Sequence, residues 1–223
     1  MSEAIRIEVG ESTVSAAVHR PADPWASLVL AHGAGAGFDH PFLVGLSDAL
    51  ETEGVASLRF NFPYREAGRK FPDRAPAAIA AWRAVHAEAL RRSAGEPVWA
   101  AGKSFGGRMA SMAVAEGLDA PGLVFLGYPL HPPGKPEQRR DAHLFGLSVP
   151  MLFLQGTKDP FASPAELAEL APAIGPNAVV ELVEGGNHSF EVAGRKRPAD
   201  VIGAELAPLI AAFLRARVPA SRP

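Results

Sequence analysis

The chain has 223 residues, a formal net charge of −2 and no cysteine. That length suits one α/β domain over 1–223 with a substantial core, and the scattered Lys and Arg residues leave no basic patch for nucleic acid. Without cysteine there are no disulfides, zinc–thiolate sites or thiol nucleophiles.

The opening stretch "MSEAIRIEVGEST" alternates apolar and polar residues and has no continuous leader-type hydrophobic run. Its two halves, "IRIEV" and "STVSAAVH", flank a Gly-Glu turn with period two and predict a β-hairpin. "ASLVLA" (26–31) is a short, wholly apolar run, as a strand covered on both faces requires, and a helix follows over "HPFLVGLSDALETEG". "VASLRFNF" (55–62) is the next strand, ended by Pro63, and "APAAIAAWRAVHAEALRRSAG" the next helix. Strand "PVWAAG", a helix from Phe105 and strand "GLVFLGY" repeat the pattern. A proline-rich excursion, "PLHPPGKPEQRRDAHLFGLS", leads to strand "VPMLFLQG". Helix "SPAELAELAPAIG", strand "AVVELVEG" and one closing helix, "ADVIGAELAPLIAAFLRARV", complete the chain before a frayed tail, "PASRP".

Alternating short apolar strands and amphipathic helices predict an α/β three-layer sandwich with a mostly parallel sheet, an N-terminal hairpin and no separate lid domain. The apolar runs are far shorter than the ~20 residues of a membrane helix, so a cytoplasmic protein without a membrane partner is expected. Ligands gather at the carboxyl ends of the strands in such sheets, which turns attention to the residues after each strand.

Gly102-Lys103-Ser104-Phe105-Gly106 fits G-x-S-x-G, in which a sharp strand-to-helix turn projects a serine over the sheet. The bland alternative is a glycine-rich connection with a capping serine. A serine nucleophile needs a base and a group that orients the base. Asp159, in "QGTKDPF", and His188, in "EGGNHSF", follow the last two strands. The order Ser104, Asp159, His188 differs from that of the trypsin and subtilisin types and is that of the α/β-hydrolases. An oxyanion hole is expected from the backbone amides of Phe105 and of Ala34 in "HGAGAG". That loop has neither G-x-G-x-x-G nor a P-loop in register, which argues against a nucleotide site.

Other residues carry weaker readings. Asp39 and His40 follow the oxyanion loop, and His40 is assigned to the loop's structure or to the site wall rather than to the base. His131, in the excursion, is a candidate substrate contact that would roof the pocket. Arg59, Asn61 and Tyr64 border a strand end, where they either tie loops together or touch substrate, and Trp82 is read as core. The histidines have no H-E-x-x-H spacing, and neither a metal nor a cofactor is expected.

Taken together, "AHGAGAGFDHPF", "RFNFPY", "GKSFGGRMAS", "GYPLHPPGKPE", "QGTKDPF" and "GNHSF" resemble the α/β-hydrolase superfamily over essentially the full length. More narrowly, they resemble the small hydrolase-like family related to dienelactone hydrolases, which includes the testis-expressed hydrolase-like proteins and the hydrolase-like subunit of the nonspecific-lethal complex. The resemblance implies a hydrolase fold with Ser104, Asp159 and His188 as triad, and names no substrate. Dienelactone hydrolases themselves use a cysteine nucleophile, which this chain lacks. Two functions stay open: a serine hydrolase of a small acyl substrate (ester, thioester or lactone), and a hydrolase-fold interaction module with little or no turnover. No oligomeric state follows from the sequence.

Overall fold

The computed structural model describes residues 2–218, so Met1 and the tail "PASRP" lie outside the described residues. Eight strands form one sheet in the order β1-β2-β4-β3-β5-β6-β7-β8. They are β1 (Glu3–Val9), β2 (Ser12–His19), β3 (Ala26–Ala31), β4 (Val55–Phe60), β5 (Val98–Lys103), β6 (Leu123–Leu126), β7 (Met151–Gly156) and β8 (Ala178–Val183). The hairpin β1–β2 is antiparallel and joins the sheet antiparallel to β4, while β4, β3, β5, β6, β7 and β8 run parallel. All six residues of β3, β4 and β7 are buried, as the unbroken apolar runs demand of strands covered on both faces.

Helices α1 (Pro41–Thr52), α6 (Ala199–Ala204) and α7 (Ala207–Arg215) cover one face. Helices α3 (Ala75–Arg92), α4 (Phe105–Ala115) and α5 (Pro164–Ile174) cover the other, with the short α2 (Pro63–Glu66) beside α3. On α3 the residues Ala78, Ile79, Trp82, Val85 and Ala89 recur three and four apart and are buried as one stripe. At α5 a capping box closes the first turn, Ser163 Oγ accepting from the Glu166 amide and Glu166 accepting from the Ser163 amide. Among the described residues no helix is long and apolar enough to cross a membrane.

Two expectations are corrected. The predicted closing helix breaks into α6 and α7, because Pro208 supplies no N–H and its ring would crowd the carbonyl of Ala204 in a continuous helix. The strand expected over 55–62 ends at Phe60: Phe62 caps α2, whose first residue, Pro63, already has the φ that a helix start needs.

The strand order sets the location of chemistry. From β3 the chain passes through α1 to β4 on one side, then returns through α3 to β5 on the other. The loops after β3 and β5 therefore diverge, leaving a crevice at their carboxyl ends.

Candidate active site

Ser104 stands between β5 and α4 with φ 49° and ψ −113°, a backbone state that costs a non-glycine residue about 1–3 kcal/mol. The flanking glycines make the turn possible. A Cβ on Gly102 would lie 2.3 Å from the Gly107 nitrogen, and one on Gly106 would lie 2.6 Å from the His32 carbonyl oxygen. Trp82, expected as core, also donates from its indole N–H to the Gly106 carbonyl at 3.2 Å, holding α3 against the turn.

Asp159 follows β7 and is buried. Its Oδ2 accepts from Gln155 Nε2 at 2.7 Å and its Oδ1 from the Phe161 amide at 2.9 Å. His188 stands on a tight turn after β8 that Asn187 organises: the Asn187 Oδ1 accepts from the amides of Ser189 (2.8 Å) and Glu191 (3.0 Å). The Phe161 ring lies against the imidazole, centroids 4.2 Å apart.

These three loops bring the side chains together. His188 Nδ1 donates to Asp159 Oδ2 at 2.7 Å, which leaves the Nε2 lone pair to accept from Ser104 Oγ at 2.9 Å. With both carboxylate oxygens engaged, the aspartate is fixed in place and fixes the imidazole tautomer in turn.

Gly33 packs beside the serine; a Cβ there would be 3.7 Å from Ser104 Cβ. Among the described residues, neither the Ala34 amide nor the Phe105 amide has an intramolecular acceptor. The loop carrying Ala34 is braced from below. The buried His32 donates from Nδ1 to the Gly33 carbonyl at 2.8 Å and accepts the Phe62 amide at Nε2 at 3.2 Å. Burial pushes its pKa down to about 4, with the Gly33 contact opposing. Arg59 donates to the Phe38 carbonyl at 2.6 Å and Asn61 accepts the Phe38 amide at 2.9 Å, so both tie loops together.

A cavity of about 420 Å³ opens above Ser104. Phe42 and Leu43 of α1 and Ala199 and Ile202 of α6 form its apolar wall; His40, Lys103 and Glu191 also line it. His40 has a second role, its Nδ1 accepting the Phe42 amide at 3.3 Å to cap α1.

Two expected substrate contacts are not on this wall. Tyr64 is buried, packed among His32, Phe62 and Phe105 behind the loop that carries Ala34. His131 bonds to Glu166 of α5 at 3.2 Å. The excursion that carries it folds back toward α4 and α5, with a short 3₁₀ turn at Ala142–Gly146, and none of its residues lines the cavity. The outer wall comes from α1 and α6 instead.

Sequence reasoning passed over Gln155, Phe161 and Lys103. Two of them had a signal: Gln155 and Lys103 are polar residues at the ends of otherwise apolar strands, "MLFLQG" and "VWAAGK".

Comparison with known proteins agrees with this architecture. The family model described as an alpha/beta hydrolase domain matches residues 24–213. A lidless α/β serine hydrolase from Xanthomonas campestris superposes with a TM-score of 0.76 at 19% identity, covering 99% of this chain and 97% of that one. A dienelactone hydrolase from Anabaena variabilis gives 0.76 at 18% identity, over 98% of each chain. A serine hydrolase homologue from Coxiella burnetii gives 0.75 at 18%, over 95% of this chain and 97% of that one. At such identities the likeness is one of fold. With the family model spanning most of the sequence, and a lidless sheet beneath the Ser104 turn, the chain belongs to the α/β-hydrolase domain family.

Proposed function

We propose that the protein is a serine hydrolase of small carboxylic esters, thioesters or lactones, working through an acyl-enzyme. Ser104 Oγ attacks the substrate carbonyl carbon while His188 Nε2 takes its proton. The carbonyl oxygen, now an oxyanion, accepts from the Ala34 and Phe105 amides, and Asp159 holds the imidazolium that has formed. The imidazolium protonates the leaving oxygen or sulfur, the C–O or C–S bond breaks and the acyl group stays on Ser104. Water then attacks the acyl carbon with His188 as base, and the proton returns to Ser104 Oγ as the acid leaves.

The observation that carries this reading is the unbroken hydrogen-bonded line from Asp159 Oδ2 through His188 to Ser104 Oγ. With Nδ1 donating to Asp159, the lone pair 2.9 Å from Ser104 Oγ is free to accept a proton. The free amides of Ala34 and Phe105 beside the serine support it. Treatment with a fluorophosphonate followed by mass spectrometry should find Ser104 modified. Ser104→Ala should remain folded and lose hydrolysis of an activated ester by a factor on the order of 10⁴ or more. A folded protein whose Ser104 stays unlabelled, or a Ser104→Ala variant with near wild-type turnover, refutes the proposal.

A further inference from the structure

Lys103 is the residue of G-x-S-x-G that the reaction above leaves unused. Alternation along β5 places it in the row of Trp99 and Ala101, which face the α1–α6–α7 layer, whereas Ser104 turns up over the sheet edge. On that side the Lys103 ammonium donates to the main-chain carbonyl of His188 at 2.5 Å. It also lies 5.5 Å from the ring centroid of Phe190, two residues further along the same loop. Phe190 is itself buried, holds φ at 63° and stacks on Phe42.

Gly127, which follows β6, lets the cation come close to the catalytic pair. A Cβ there would lie 3.1 Å from Lys103 Nζ, 3.3 Å from His188 Nδ1 and 3.4 Å from Asp159 Oδ2. The ammonium thus sits behind the His188–Asp159 hydrogen bond with a side-chain-free residue between them. Burial pushes its pKa down to about 8, and the Asp159 charge opposes that shift.

Folding alone gives no reason for this arrangement. Lys103 is half-buried, so its ammonium gives up part of its hydration, and an apolar chain of the same length would fill the space without that cost. What the cation gains is a charge-assisted bond to the backbone of the residue whose ring must stay in line with Ser104. Lys103 is covalently next to Ser104, so the bond joins the base loop directly to the strand that presents the nucleophile.

We propose that Lys103 is a positioning residue for the hydrolytic reaction: its ammonium pins the His188 carbonyl to the nucleophile strand and sets the imidazole over Ser104 Oγ. This rests on the hydrolase reading above. Lys103→Met removes the bond while keeping the chain length. The experiment measures fluorophosphonate labelling of Ser104 against probe concentration, separating the probe's binding constant from the maximal labelling rate, with thermal unfolding followed on the same samples.

The maximal rate should fall about 10- to 100-fold, the scale of loss when a reacting group is misplaced by about 1 Å. The fall should exceed any change in the probe's binding constant, and the unfolding temperature should hold or drop modestly, because the His188 carbonyl loses its donor. A maximal rate within about twofold of wild type overturns the proposal. So does a fall in rate that matches a loss of folded protein at the assay temperature, which would make Lys103 merely structural. A wild-type protein that is never labelled refutes the hydrolase reading and this role with it. A labelled wild type with an indifferent variant refutes the role of Lys103 alone.

Discussion

Acid should destabilise the loop after β3 through His32. Its ring is fully buried, with Nδ1 donating to the Gly33 carbonyl and Nε2 accepting the Phe62 amide. A second proton, on Nε2, would point a donor at another donor. Burial accordingly holds the folded-state pKa at about 4, against 6.5 for the free side chain. Because the folded value lies below the unfolded one, this stability is complete above pH 6.5 and is lost as pH falls through about 4. That gap corresponds to about 3 kcal/mol, a sizeable share of the 5–15 kcal/mol typical of a folded domain. Burial also lowers the pKa values of His19, His86 and His143, so overall acid sensitivity identifies no single residue. The discriminating measurement is urea unfolding of wild type and His32→Gln between about pH 7 and about pH 4. Glutamine offers an oxygen to the Phe62 amide but does not titrate. The variant should be less stable at neutral pH, and the difference should shrink by about 3 kcal/mol on acidification. A difference that stays constant over the range refutes the assignment of a neutral, proton-excluding His32.

Two further predictions concern turnover. His188→Ala should abolish ester hydrolysis at every pH, whereas His40→Ala should keep the rise in activity that follows deprotonation of the base; the reverse pattern in a pH–rate profile would move the base to His40. Across a series of p-nitrophenyl esters, kcat/KM should climb until the acyl chain fills the space between α1 and α6, each methylene being worth at most ~0.8 kcal/mol. It should level off or fall beyond about four to six carbons, because no lid extends that wall; a steady increase to long chains would reveal a channel that the cavity of about 420 Å³ does not contain.

The strands and the order of Ser104, Asp159 and His188 were legible because each depends on local signals. Runs such as "ASLVLA" are too short and too apolar for anything but a buried strand, and the glycines around Ser104 mark a backbone under close approach. Tyr64 and His131 lie away from the cavity wall for one shared reason. Position after a strand says that a residue is near the carboxyl edge, but not which way the loop turns. The loop after β4 turns inward as α2, and the excursion after β6 turns toward α5. The break at Pro208 was hidden because the apolar spacing runs on unchanged across it. Lys103 was visible as a polar intruder, yet its partner, the His188 carbonyl, lies 85 residues away, a pairing that no local pattern encodes.

β8 is the last strand of the sheet, bonded to β7 on one side only, and none of its six residues is fully buried. β5, which presents Ser104, is paired on both sides by β3 and β6. Ser104 therefore follows an interior strand, whereas His188 hangs from the margin of the sheet. Peeling an edge strand takes less free energy than global unfolding, and doing so here would carry His188 away while Ser104 and the two amides kept their places. Loss of turnover on warming would then be a reversible event well short of denaturation. Anything that covered the open rim of β8, far from the substrate, would extend the temperature range of catalysis without altering the pocket.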